Sequence, residues 1–250
     1  MRILVANDDG IYSPGIAALA RAAAEHGEVR VVAPDVEQSS AGHSVSSSRP
    51  LRYKSTPLFS GIEAYRVGGT PADCVALGVY HWGDVDVVLS GVNIGTNLGN
   101  AIWHSGTLAA AKQAVLLGVR GIALSTPVTG DEPDFEALEP HIDAILDELL
   151  PRDDLPLVNV NFPPQPRGTR WTRQAVSRYD GKIVADKDPY GRDIFWFVVE
   201  PIKDVEPGTD LWAIRESYIS MTPLELDLTD HDALDRIGVA AGDLAGAPAG

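Results

Sequence analysis

The largely apolar segment Val85–Leu89 runs directly into Ser90-Gly-Val-Asn-Ile-Gly-Thr-Asn-Leu-Gly-Asn100, and then through Ser105-Gly106-Thr107 into an alanine-rich stretch ending near Leu117. A buried strand, a glycine-rich loop and a helix in that order form part of a βαβ unit, and the free N–H groups at such a helix start attract anions. The same context recurs at the chain start, where Ile3-Leu-Val-Ala6 leads into Asn7-Asp-Asp-Gly10. Two carboxylates at one strand end point to a metal.

The alternation continues. Ser13 caps a helix with Pro14 at its first position, and Ile16, Leu19, Ala20, Ala23 and Ala24 follow at helical spacing. Val29–Ala33 is the next strand and opens the polar loop Glu37–Ser48. Beyond an extended region around Leu51–Val67, Thr70-Pro71 starts a helix with Asp73 in its first turn. Gly121–Ser125 reads as a strand, Phe135–Leu150 as a helix and Leu157–Asn161 as a strand. This pattern predicts an α/β fold, a doubly wound, mostly parallel Rossmann-like sheet. After Pro163-Pro164-Gln-Pro166, the segments Trp171–Val176 and Ile194–Val199, with Asp180-Gly181 and Tyr190-Gly191 as turns, predict a projecting β-hairpin arm at about 170–200. Its Phe195, Trp196 and Phe197 suggest pairing with another copy of the chain, or burial on the parent domain. Residues 1–230 are expected to form one domain including the arm, and 231–250 a helix remnant and flexible tail.

Composition narrows the function. A formal charge of −15 over 250 residues disfavours both a nucleic-acid polymer and an anionic membrane as partner. An anionic substrate must then be drawn in locally, by helix N-termini and a bound cation. The single cysteine, Cys74, allows no intramolecular disulfide or thiolate cluster and lies in an apolar-periodic segment that predicts burial. With no charged leader and no apolar run of membrane-spanning length, a cytoplasmic location is expected.

In an open parallel sheet, ligands bind beyond the carboxyl ends of the strands where strand order reverses. The loops Asn7–Gly10, Gln38–Ser48 and Ser90–Thr107 all stand at such ends, so Asp8, Asp9, Ser39 or Ser40, and Asn93 or Asn97 can converge. An oxygen-only donor set suits one divalent ion, Mg²⁺ or Mn²⁺, rather than zinc. Alternatives stand beside this: one aspartate as a cap and the other solvated, the serines as ordinary loop residues, and His43 and His104 as solvated rather than acid groups. The glycine loop matches neither the dinucleotide nor the Walker pattern.

Asn7-Asp-Asp-Gly10 with Pro14-Gly15, Val32-Ala-Pro-Asp35 with Ser39 and Gly42-His-Ser44, Gly69-Thr-Pro-Ala-Asp-Cys74, Ser90-Gly-Val-Asn93 with Gly95, Asn97 and Gly99, Ser105-Gly-Thr107, Tyr218-Ile-Ser-Met-Thr-Pro-Leu224 and Asp227-Leu-Thr229 together closely resemble the SurE family of stationary-phase survival nucleotidases. The resemblance implies a metal-dependent 5'/3'-nucleotidase acting on nucleoside monophosphates, with polyphosphate as a further substrate in some members. It carries metal ligation onto Asp8, Asp9, Ser39 and Asn93, and implies a homodimer or homotetramer that exchanges its arm and C-terminal segment. Leu108, where valine is common, and His104, where an aromatic is also seen, depart from the pattern.

The mechanism expected from this is attack on phosphorus by a water made acidic by the cation, with Asp8 and Asp9 as the catalytic carboxylates. Asn97 and the N–H and hydroxyl groups of Ser105, Gly106 and Thr107 are expected to hold the phosphate oxygens. Direct attack by Asp8 or Asp9 is the alternative chemistry. A non-catalytic metal-dependent nucleotide-binding protein is the alternative function. A phosphoacceptor receiver explains the acid pair but finds no acceptor aspartate at Ser90-Gly91 and no use for the glycine loop.

Overall fold

Every residue of β1 (Arg2–Ala6) after the first is fully buried, with Ile3 and Val5 facing one side and Leu4 and Ala6 the other, so the strand needs cover on both faces. The computed structural model describes residues 1–58, 60–128, 130, 133–176, 181–199 and 205–237. Helix α1 (Pro14–Ala24) starts where the Ser13 hydroxyl accepts the Ile16 N–H, with Pro14 pre-set for the first turn. Strand β2 (Glu28–Pro34) returns parallel to β1, and β3 (Tyr53–Ser55) and β4 (Glu63–Val67) finish that side of the sheet. Helix α2 (Pro71–Trp82) opens on a reciprocal capping box between Thr70 and Asp73.

On the other side of β1 come β5 (Val87–Ile94), α3 (Gly106–Leu116), β6 (Arg120–Thr126), α4 (Phe135–Leu149) and β7 (Leu157–Asn161). Then follow β8 (Thr169–Trp171), β9 (Gly181–Lys187), β10 (Asp193–Val199), α5 (Asp210–Arg215), β11 (Ile219–Pro223) and α6 (His231–Arg236). The main sheet has the order β3-β4-β2-β1-β5-β6-β7-β11-β8, parallel from β4 to β7, with β3 antiparallel at one edge and β11 antiparallel to β7. The chain leaves β1 towards β2 and later returns to its opposite side as β5. The carboxyl ends of β1 and β5 are therefore the switch point where a ligand crevice opens.

Helices α1 and α4 cover one face, with Ile16, Leu19, Ile142 and Ile145 packed on Ile3, Val5, Leu89 and Ile122. On the other face, where α2 and α3 pack together, Cys74, Val75, Ala110 and Ala114 meet Leu4, Val32 and Val88. Small residues let the layers close. A Cβ on Gly15 would stand 2.0 Å from the Val92 carbonyl oxygen, and one on Gly121 would stand 2.2 Å from that of Ala111. Among the described residues, no helix is long and apolar enough to cross a membrane.

Two expectations change. Strand β5 does not stop at Leu89: Val92 is buried, and pairing with β6 resumes at Asn93↔Ser125 and Ile94↔Thr126 after a register shift, so Asn93 sits on a strand end rather than in a loop. The arm is also smaller than 170–200. Trp171 pairs with Met221 in the main sheet, and Thr172 is buried against the Ser220 and Thr222 hydroxyls. The hairpin is instead β9 with β10, closed by Asp188–Arg192, with Trp196 opposite Val184 and Phe195 opposite Ala185. Phe195 and Trp196 are exposed, so they do not pack on the parent sheet. Asp180 and the expected flexible tail at 240–250 lie outside the described residues.

Because the Gly121 contact is with backbone that cannot rotate away, Gly121→Ala is expected to cost about 1–3 kcal/mol or more in urea denaturation. A cost below about 0.5 kcal/mol would contradict this packing.

Candidate active site at the ends of β1 and β5

Asp8 and Asp9 leave the end of β1 on either side of the crevice. Asp8 is buried against the first turn of α3: the Thr107 hydroxyl donates to its Oδ1 at 2.7 Å, and a Cβ on Gly106 would stand 2.8 Å from its Oδ2. Glycine at 106 is thus what admits the carboxylate to the helix N-terminus, where free N–H groups favour negative charge. Asp9 turns towards β5, and its Oδ2 accepts the Ile94 N–H at 3.2 Å, beside Asn93. The Asn93 amide donates to the Gly95 carbonyl at 2.5 Å, which leaves its Oδ1 to accept.

The loop after β2 closes over this pair. The Gln38 N–H bonds the Asp8 carbonyl at 2.8 Å, and the Gly42 N–H bonds the His104 carbonyl at 3.1 Å. The Ser39 hydroxyl donates to the carboxylate of Glu37 rather than to either aspartate. Asn7 pins the turn from below, its amide donating to the Gly10 carbonyl and to the Ser13 hydroxyl, both at 2.9 Å.

Burial raises both aspartates. The Asp8 carboxyl is pushed up mainly by desolvation, against hydrogen bonds from Thr107 that pull it down. Asp9 is pushed up to about 7, first by desolvation, then by the Asp8 charge and in smaller part by Glu37. Among the described residues neither aspartate has an ion pair, and no group of three or more His, Cys, Asp or Glu side chains is arranged to hold a metal ion. The site therefore gathers carboxylates without a counterion among the described residues, with Asn93 next to Ile94, which bonds Asp9, and Ser39 next to Gln38, which bonds the Asp8 backbone. That donor chemistry fits a hard divalent cation.

Of the expected anion-holding groups, the Ser105 hydroxyl accepts the Leu108 N–H as the cap of α3. The Thr107 hydroxyl is turned onto Asp8. Asn97 points into the protein: its amide donates to the Ser125 hydroxyl at 2.8 Å and, at 3.4 Å, to Thr107 Oγ1. Its backbone is clamped by Asn161, which accepts from its N–H at 2.8 Å, and by Asn159, which donates to its carbonyl at 2.8 Å. The main-chain N–H groups of Gly106 and Thr107, in the first turn of α3, have no helix carbonyl to meet. His43 bonds Gln113 at 2.9 Å on the outer side of α3.

Sequence reasoning missed Glu37 and the asparagines of β7. Glu37 lies two residues before Ser39 in a polar loop, where one more carboxylate carries no signal. Asn159 and Asn161 alternate with Val158 and Val160 in a strand buried on both faces, so two buried amides there were the available clue.

Residues 3–181 match the family described as Survival protein SurE. The chain is 48% identical over 242 residues to 5'-nucleotidase SurE 1 of Thermus thermophilus, covering 95% of this chain and 96% of that one. It is 45% identical over 246 residues to 5'-nucleotidase SurE of Deinococcus radiodurans, covering 94% and 91%. The crystal structure of the SurE protein from Aquifex aeolicus superposes with a TM-score of 0.82 at 36% identity, over 95% of this chain and 98% of that one. With the family's match spanning most of the chain and both relatives aligned nearly end to end, this protein belongs to the SurE family.

Proposed function

We propose that the chain is a divalent-metal-dependent phosphomonoesterase that releases phosphate from nucleoside 5'- and 3'-monophosphates, with polyphosphate as a further substrate. The observation that carries this reading is the adjacent pair Asp8–Asp9, without a counterion among the described residues, with Asp8 buried against the first turn of α3 and Asp9 half-buried beside the end of β5. Relatives named 5'-nucleotidase supply the nucleotide as substrate class.

Asp8, Asp9, Ser39 and Asn93 would hold one Mg²⁺ or Mn²⁺ ion. When bound, such an ion neutralises phosphate charge and makes water acidic enough to serve as nucleophile near neutral pH. The chain does the rest. Thr107 fixes Asp8, and the Ile94 N–H fixes Asp9, so the two carboxylates would be held in set orientations for an ion. The N–H groups of Ser105, Gly106 and Thr107 hold the phosphate oxygens and gain strength as charge builds on them in the transition state. Asn97 serves through Thr107, to which its amide donates. The exposed apolar hairpin is read as the surface that pairs copies of the chain into a dimer or tetramer, and light scattering of a single chain mass would contradict that.

Phosphate release from AMP and GMP, with their 3' isomers, measured with Mg²⁺, with Mn²⁺ and with chelator, tests the reading and separates it from a non-catalytic nucleotide-binding protein. Asp8→Asn and Asp9→Asn are each expected to lower metal-dependent turnover by more than about 100-fold with the fold intact. Wild-type turnover in either variant would remove those residues from the site.

The raised pKa of Asp9 adds a pH signature. The native metal-free protein keeps a proton on Asp9 up to about pH 7, whereas an unfolded chain loses it near 3.8. The native state binds more protons in that window, so this carboxyl costs the metal-free protein stability as pH rises from about 4 to about 7. A cation that needs both carboxylates ionised reverses the cost. The rise in melting temperature on adding Mn²⁺ is therefore expected to be larger at pH 8 than at pH 5, and Asp9→Asn is expected to flatten the difference. An equal rise at both pH values would contradict it.

A further inference from the structure

The carboxylate of Asp210 is fully buried, yet it belongs to none of the groups that face the crevice. Its Oδ1 accepts the Leu211 N–H at 2.8 Å and the Ala175 N–H at 2.9 Å, and its Oδ2 accepts the Gly99 N–H at 2.8 Å. The neighbouring Gln174 amide donates to the Gly99 carbonyl at 3.0 Å. Both polar groups of Gly99 are thus held by side chains from the base of the hairpin, where Arg173 and Asp210 run side by side through backbone bonds. The approach is close enough that a Cβ on Gly99, at φ +53°, would stand 2.9 Å from the Ala175 carbonyl oxygen.

A tie between the hairpin base and α5 alone needs no such arrangement, because Thr209 already caps that helix through the Trp212 N–H. The oxygen aimed at Gly99 reaches a segment 111 residues away. That segment contains Asn97, whose amide donates to Thr107, whose hydroxyl holds Asp8. The route from Asp210 to Asp8 joins two sets of buried hydrogen bonds, Asp210 to Gly99 and Asn97 through Thr107 to Asp8, by the covalent backbone of residues 97–99, the kind of support that keeps a reacting constellation in place.

We propose that Asp210 is a positioning residue for the phosphomonoesterase site: by holding Gly99 it fixes the segment from which Asn97 steadies Thr107, and so sets the carboxylate of Asp8. This rests on the function proposed above. Asp210→Asn replaces one accepting oxygen with a donor that faces an N–H. The predicted result is a fall in kcat of about ten-fold or more with KM for AMP within about three-fold. The deciding readout is non-additivity. In an Asn97→Ala background, where the link to Thr107 is already cut, the same substitution is expected to lower kcat by no more than about two-fold.

If Asp210→Asn does not fold, Gln174→Met removes the second tie to Gly99 and leaves the carboxylate in place. It is then expected to lower kcat several-fold, with the effect again lost in the Asn97→Ala background. Unchanged kcat in the folded variant, or the same factor in both backgrounds, overturns the proposal and leaves Asp210 a fold residue. Absence of phosphate release by the unsubstituted chain overturns instead the function on which the proposal rests, and the inference with it.

Discussion

Two adjacent carboxylates stand at one strand end, Asp8 buried and Asp9 half-buried, and among the described residues no basic side chain pairs with either. Desolvation raises both, and the Asp8 charge helps push Asp9 to about 7, while Thr107 and the Ile94 N–H act to keep them charged. The cation of the proposed function would relieve that conflict near neutral pH. The conflict is the constraint around which the neighbouring residues make sense: glycine at 106 so that a carboxylate can approach a helix start, an amide oxygen at Asn93, and a hydroxyl-bearing loop after β2.

The sheet explains why this conflict arises where it does. With β1 central and both its neighbours parallel to it, its carboxyl end faces the gap left where the chain goes first to β2 and later to β5. The Ile94 N–H then ties Asp9 to the end of β5, and α3 brings its N-terminus up to Asp8. The proposed function places substrate phosphate and cation where, in such a fold, strand ends and helix starts point at the same volume.

Much of this was legible in the sequence because it rests on local rules. Ser13-Pro14 and Thr70-Pro71 announce helices by capping chemistry, and both caps form as written. The short, valine-containing runs at 3–6, 29–33 and 157–161, each followed by a turn signal, read as buried strands and are strands. What escaped was set by long-range partners. Ser90–Ile94 reads as loop from its glycines, but β6 pairs with its end and draws it into the sheet. Trp171 reads as arm because it is aromatic among turn signals, yet β11, a strand fifty residues later, claims it. Asn97 and Thr107 were recognisable as polar residues in the right loop, but not as residues turned onto Ser125 and Asp8, since no spacing rule specifies which of several buried partners an amide will take.

An anomalous difference map at the manganese absorption edge, from crystals soaked in Mn²⁺, tests the shared-cation account most directly. One peak is expected within coordination distance of Asp8, Asp9 and Asn93, with the Ser39 hydroxyl turned from Glu37 towards it. Manganese bound elsewhere with this pair left bare, or no peak where nucleotide still turns over, would contradict it.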